Sequence, residues 1–219
     1  MGATIRISIR ELEVIAQKVL EGAGVPSGLD HDGAHAVVWC EARGLKGIEA
    51  LLCDPRALSG FPERRATDID AIGLSALCVA PLAIDLSMST GKRLIVHNIK
   101  SPFVAIAYAV RKTCDDRWFE LMWGSSRALV VKGKASMFRT KRSFSNILTI
   151  VSGRSVPSSI LNPSVPASEL EERYHCALNE GLVVKKSILE TLVAMANKVL
   201  VPTSDQSRSS AGAEVDDNQ

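Results

Sequence analysis

The apolar residues of this chain change their spacing twice, and that change limits the fold more than any other feature. Near the front, Leu12, Ile15, Ala16, Val19 and Leu20 fall on one helical face. In the middle, short runs such as 93–99 and 118–123 read as strands. Toward the end, Ala177, Val184, Ile188, Leu189, Leu192, Val193 and Ala196 return to helical spacing. Helical ends around a strand-rich centre point to an α+β fold, a mixed or antiparallel sheet packed by the N-terminal and C-terminal helices.

Local signals sharpen the reading. Ser8 and Glu11 fit a capping box that opens a helix over residues 8–23, which Gly22 and Gly24 close. A second helix is expected over 29–43, ending at Gly44, and a short third near 47–53. Residues 54–67 are a charged, turn-rich connection, and the apolar segment 68–90 is expected to be helical. Ser101-Pro102 reads as a helix start, with Ser101 as N-cap and Pro102 in the first turn. Strands are expected over 127–132, 135–138 and 143–150. Residues 152–168 carry three prolines among serines and read as a loop, and Gly181 divides the helical sequence 168–200. The expected organisation is one globular domain over 1–202, with a front helical unit at 8–53, a central sheet at 93–150 and C-terminal helices at 168–200. The remaining residues, 203–219, form a polar tail for which composition favours disorder.

The chain has 219 residues, enough to bury roughly 70% of the surface exposed when unfolded. Aromatic residues are only 5%, so Leu, Ile, Val and Ala must build the core. The net charge of +2, with 24 acidic residues, argues against nucleic acid as a partner. The longest apolar stretch, 69–86, is broken by Asp70, Gly73, Pro81 and Asp85, so no membrane span is expected. Five scattered cysteines without a CxxC pair, and no apolar run of signal-peptide length near Met1, point to the cytoplasm.

Several constellations invite a chemical reading. His31 and His35 stand four apart on one helix face, the spacing of zinc-binding helices. No third ligand is evident, and the plainer reading is a polar helix start with Asp32 near the positive end of the dipole. No metal is therefore assigned. Cys40, Cys53 and Cys176 lie on predicted helices beside apolar residues and read as structural. Lys132, Lys134, Arg139, Lys141 and Arg142 surround Phe138; a solvated hairpin edge is favoured over an anion site. Ser89-Thr90-Gly91-Lys92 lacks most of a phosphate loop, and no GxGxxG occurs, so a Rossmann dinucleotide site is unsupported.

Two resemblances add to this. The stretch 41–51, Lys100-Ser101-Pro102-Phe103, Leu121-Met122-Trp123-Gly124 and residues 201–218 resemble an uncharacterised bacterial family known only as a domain of unknown function. That resemblance implies a stand-alone bacterial protein with no established activity. The front 50 residues are also similar to the malate/L-lactate dehydrogenase family that lacks a Rossmann fold. There an Arg-Gly stretch leads to a His-Gly carrying the catalytic histidine. Arg43-Gly44 is present here, but Ile48-Glu49 stands where His-Gly belongs, and isoleucine cannot exchange a proton.

Two function classes follow. One is a small-molecule metabolic enzyme or ligand-binding protein for an anionic carboxylate or phosphate metabolite. Its site would use Arg43, His97, Ser101 at a helix N-terminus, and Arg208. The other is a non-catalytic subunit that meets a partner chain or a second copy of itself. A divergent NAD(P)-dependent 2-hydroxyacid oxidoreductase, lacking the expected histidine, is a further alternative. The sequence names no cofactor and no catalytic residue.

Overall fold

The structure, a computed structural model, describes residues 2–52, 54–65, 68–113, 117–139, 145–154 and 162–199. It opens with strand β1 (Thr4–Ile7) and helices α1 (Ile9–Gly22), α2 (Leu29–Ala42) and α3 (Gly47–Leu51). The Ser8 hydroxyl accepts a hydrogen bond from the Glu11 N–H at 3.0 Å, the forward half of the expected capping box. Helix α1 ends in paired turns, with the Val25 N–H on the Leu20 carbonyl and the Gly24 N–H on the Glu21 carbonyl. Helix α2 ends the same way: the Leu45 N–H meets Cys40 and the Gly44 N–H meets Glu41. Gly24 and Gly44 take the left-handed conformation this termination needs.

Helices α2 and α3 cross with backbones touching. A Cβ on Gly47 would lie 1.9 Å from the Val37 carbonyl oxygen. The Glu41 carboxylate accepts the Ile48 N–H at 2.9 Å and so caps α3. Burial pushes the Glu41 carboxyl above its ordinary value, against the hydrogen bond from Ile48.

A seven-stranded sheet follows, built from β2 (Glu63–Arg64), β3 (Asp68–Asp70), β4 (Leu94–His97), β5 (Trp118–Trp123), β6 (Ser126–Val131), β7 (Lys134–Arg139) and β8 (Leu148–Gly153). Its order is β2-β3-β4-β8-β5-β6-β7. Neighbours are antiparallel except β3 and β4, which run parallel. A parallel pair needs a crossover, and helix α4 (Ala76–Thr90) supplies it. The segment 68–90 is thus a strand, a turn and a helix, not one helix. Asp68, Ile69 and Asp70 alternate with only Ile69 fully buried, a strand pattern too short to stand out within an apolar run.

Helix α4 and helix α5 (Ala105–Lys112) pack on one face of the sheet, and the Tyr108 hydroxyl donates to the Leu77 carbonyl between them. Phe119, Leu121, Ile150 and Val96 are fully buried beneath these helices. Each such side chain contributes about 1.5–3 kcal/mol relative to exposure.

The chain ends with α6 (Ala167–Glu180), strand β9 (Leu182–Lys185) and α7 (Lys186–Ala196). Helix α7 packs on α1, and α6 on α2 and β7, as the helical ends of the sequence implied. Gly181 divides this region, but β9 follows it and pairs with β1 in a separate two-stranded ribbon. Buried side chains from the front helices, the sheet and α6–α7 form one continuous core. The strand expected over 143–150 sits at Leu148–Gly153, and residues 143–144 lie outside the described residues. Among the described residues no helix is long and apolar enough to cross a membrane.

Candidate functional site

Strands β3 and β4 run parallel, with Asp70 opposite His97, so both deliver their carboxyl ends to one place. In open sheets such ends are where ligands settle, because the loops leaving them diverge. Here the loops bend sharply. Ile72, Asn98 and Ser101 all adopt left-handed backbone conformations, with φ of 52°, 53° and 52°. For a β-branched residue such as Ile72 this costs about 1–2 kcal/mol, and more than half of its surface is exposed.

Asp70 holds the bend together. Its carboxylate accepts from the Asn98 side-chain amide at 2.9 Å, from the Ile72 N–H at 3.0 Å and from Arg65 at 3.0 Å. The Asn98 amide, then the Ile72 N–H, hold the Asp70 carboxyl below the usual carboxylate range. The Asn146 amide donates to the Asn98 side-chain oxygen at 3.3 Å, and the Ile99 N–H reaches the Asn146 carbonyl at 2.9 Å. Between these groups lies an open cleft of about 500 Å³, lined by Glu63, Asp70, Ile72, Asn98, Lys100 and Asn146. That volume is in the range of small-molecule sites. Lys100 is exposed; its backbone bonds to Leu74 and Ala76, and its side chain makes no hydrogen bond or ion pair among the described residues.

The residues singled out from sequence are placed differently. Arg43 is a brace between helices. Its guanidinium lies 4.3 Å from the Trp39 ring centroid and 4.4 Å from that of Tyr174, and it pairs with Glu171 at 3.0 Å. His97 turns to Asp68, with 3.5 Å between Nε2 and the carboxylate. These partners belong to α2 and α6 for Arg43 and to β3 for His97, so the two share no contact. Ser101 does not cap a helix with its hydroxyl. Its left-handed backbone leads into a three-residue 3-10 turn, Pro102–Val104, before α5 begins, and no side-chain cap bond forms. The N-cap hydrogen bond expected from the Ser101 hydroxyl is thereby corrected. Arg208 lies outside the described residues, as do Cys53, Cys114, Lys141 and Arg142.

Between His31 and His35, Asp32 pairs with Arg111 of α5. Burial, then the Arg111 charge, push the His35 imidazole below its ordinary value. Among the described residues no group of three or more His, Cys, Asp or Glu side chains is arranged to hold a metal ion. Cys40 is fully buried and its thiol is pushed far up by that burial. Cys176, expected to be buried, is exposed on α6 because the helix turns that side away from the core. Phe138 faces Arg127 at 5.0 Å, and Arg127 pairs with Glu120.

A second cleft of about 440 Å³ lies between α6 and the β1–β9 ribbon, with Cys176 in its wall. Its cations are already engaged. Arg6 donates to the Glu180 carbonyl at 2.7 Å, and Arg173 reaches Glu169 and the Arg43 carbonyl. The first cleft, with Lys100 open to it, is the better candidate. Asp70, Asn98 and Asn146 escaped the sequence reading. The one available signal was Asn98 directly after a strand, since asparagine tolerates the left-handed bend.

Comparison with known proteins fits both resemblances. Residues 7–79 match the family described as "Protein of unknown function (DUF3726)". No curated protein matches the chain in sequence. Among solved structures, the chain is similar to a dehydrogenase from Sinorhizobium meliloti, at 13% identity and a TM-score of 0.66, over 89% of this chain and 100% of that one. It is similar to malate dehydrogenase from Pyrococcus horikoshii OT3, at 13% identity and a TM-score of 0.62, over 92% and 98%. It is also similar to sulfolactate dehydrogenase from Methanocaldococcus jannaschii, at 9% identity and a TM-score of 0.59, over 89% and 97%. At these identities the likeness shows a shared α+β fold. Ile48, at the position where the dehydrogenase resemblance expects histidine, is 5% exposed on α3.

Proposed function

We propose that the protein binds a small carboxylate-bearing metabolite in the cleft at the carboxyl ends of β3 and β4. The observation that carries this reading is that Lys100, Asn98 and Asn146 line one cleft. An ammonium supplies the charge that a carboxylate needs, and side-chain amides fix its orientation. Backbone strain at the β-branched Ile72 supports the reading, because such strain collects where a ligand is held. The names of two proteins of like fold, malate dehydrogenase and sulfolactate dehydrogenase, support a carboxylate over other anions.

Within this proposal His97 and Ser101 flank the cleft in sequence, one residue before Asn98 and one after Lys100. Arg208 is proposed, from its sequence alone, to close over the carboxylate through its planar fork. Lys100 takes the anchoring role that the sequence offered to Arg43. The proposal is recognition of the acid and not proton transfer at residue 48, since Ile48 has no titrating group.

A thermal-shift screen with malate, lactate, sulfolactate, their 2-oxo counterparts, inorganic phosphate and NADH tests this. A ligand at a hundred times its dissociation constant adds about 2.7 kcal/mol, which is several degrees for a chain of this size. A carboxylate should raise the melting temperature of the parent. Lys100→Ala should abolish that shift and leave the unliganded melting temperature unchanged. Silence for every acid, or an undiminished shift in Lys100→Ala, sinks the proposal. Oxidation of NADH dependent on a 2-oxo acid, read from the nicotinamide absorbance, would favour the oxidoreductase alternative.

A further inference from the structure

We propose that the protein forms a dimer in which the β1 strands of two copies pair antiparallel, making one four-stranded sheet of order β9-β1-β1-β9. The β1–β9 ribbon stands apart from the larger sheet. Its phase is set by the Lys186 N–H, which donates to the Ala3 carbonyl at 2.9 Å. In an antiparallel ladder hydrogen-bonded and non-bonded pairs alternate. Ile5–Val184 and Ile7–Leu182 are therefore the bonded pairs within the ribbon, and Thr4–Lys185 and Arg6–Val183 are the open ones. Thr4 and Arg6 thus turn their N–H and C=O groups away from β9. No main-chain partner for these groups occurs among the described residues.

The larger sheet treats its edges otherwise. β2 is two residues long and both are charged. β7 is closed by Val165, whose N–H and C=O bond to Met137 at 3.1 and 2.9 Å. Such devices prevent strand addition, and β1 has neither. It also leaves Ile5 41% exposed.

The spacing of the open groups selects one self-pairing. With Thr4 opposite Arg6, both outward residues of each copy bond, giving four main-chain hydrogen bonds across the two-fold axis. Ile5 then faces Ile5 of the other copy as a non-bonded pair, the arrangement with the closer side chains. Centring the pairing on Arg6 would set two guanidinium groups opposite each other, and centring it on Thr4 would leave Arg6 without a strand partner. On β9 the outward residues are Val183, 58% exposed, and Lys185, so the matching self-pairing would set each ammonium side chain opposite a valine and bring only the buried Val184 together on the axis.

Light scattering and sedimentation of the full chain over a concentration series test the proposal. The parent should associate to a dimer. Thr4→Pro deletes an outward N–H and leaves the ribbon's own bonded pairs intact, so it should weaken the dimer about tenfold or more. Ile5→Lys, which opposes two ammonium groups, should act in the same direction. Val183→Pro, on the other edge, should leave association unchanged. A thermal melt confirms that each variant folds. A parent that stays monomeric, or a dimer indifferent to Thr4→Pro and Ile5→Lys, overturns the proposal. So does a dimer broken by Val183→Pro alone.

Discussion

Replacing Arg43 separates its two possible roles. Its side chain is 7% exposed, while that of Glu171 is 30% exposed. Truncation to alanine removes a charge-assisted hydrogen bond worth about 1.5–3 kcal/mol. It also removes two cation–π contacts, on Trp39 and Tyr174, each worth about 0.5–2 kcal/mol. Glu171 is exposed enough to recover water, so the penalty for an abandoned charge is partial. The expected loss is about 3–4 kcal/mol. A chain of this size loses about 2–4 °C per kcal/mol, so Arg43→Ala should melt roughly 6–16 °C lower. Arg43→Lys keeps the charge but loses the planar fork that stacks between two rings, and should recover less than half of the deficit. In a double-mutant cycle, Arg43→Met and Glu171→Gln should couple, because the two groups touch. Urea and thermal denaturation read all of these. If Arg43→Ala melts within about 2 °C of the parent yet loses the carboxylate-induced shift, the brace between α2 and α6 is not what Arg43 is for.

Other perturbations follow from single contacts. Gly47→Ala should destabilise by about 1–3 kcal/mol or more, since its Cβ would meet the Val37 carbonyl at 1.9 Å and backbone cannot swing aside; an unchanged melting temperature would refute the α2–α3 contact. Glu41 binds its proton more tightly in the native state, because burial raises it, so stability should fall as pH rises from the ordinary glutamate range through the raised native value. Glu41→Gln keeps an oxygen for the Ile48 N–H and should flatten that slope in melts from about pH 4 to about pH 8. Ser101→Gly should leave stability unchanged or raise it, since the left-handed backbone is relieved and no cap bond is lost; a loss of about 1 kcal/mol would restore the N-cap.

What the sequence revealed and what it hid divide along a physical line. The ends of α1 and α2 were legible because a capping serine and left-handed glycines act within one turn of chain. The strands β5, β6 and β7 were legible because their turns are local and short. The pairing of β1 with β9 joins Thr4 to Lys185, and no local signal in either four-residue strand announces a partner so distant. Ser101 shows the opposite failure. Its local chemistry is that of an N-cap, but the chain must first turn out of β4, with Asn98 pinned by Asp70, and that tertiary demand sets the backbone at Ser101 against its propensity. The candidate site lies in the same place. Asp70, Asn98 and Asn146 come from three segments, and no one segment carries a motif. They meet because β3 and β4 are parallel, and that parallel pair exists only because α4 crosses between them. The cleft is thus a property of topology, legible only once the crossover is known. The dehydrogenase resemblance drew attention instead to Arg43 and residue 48, which in this chain lie among buried side chains. If the cleft binds its acid and Arg43 proves to be a brace, then this chain shares a helical frame with dehydrogenases of like fold while recognition rests on the bent loops that follow β3 and β4.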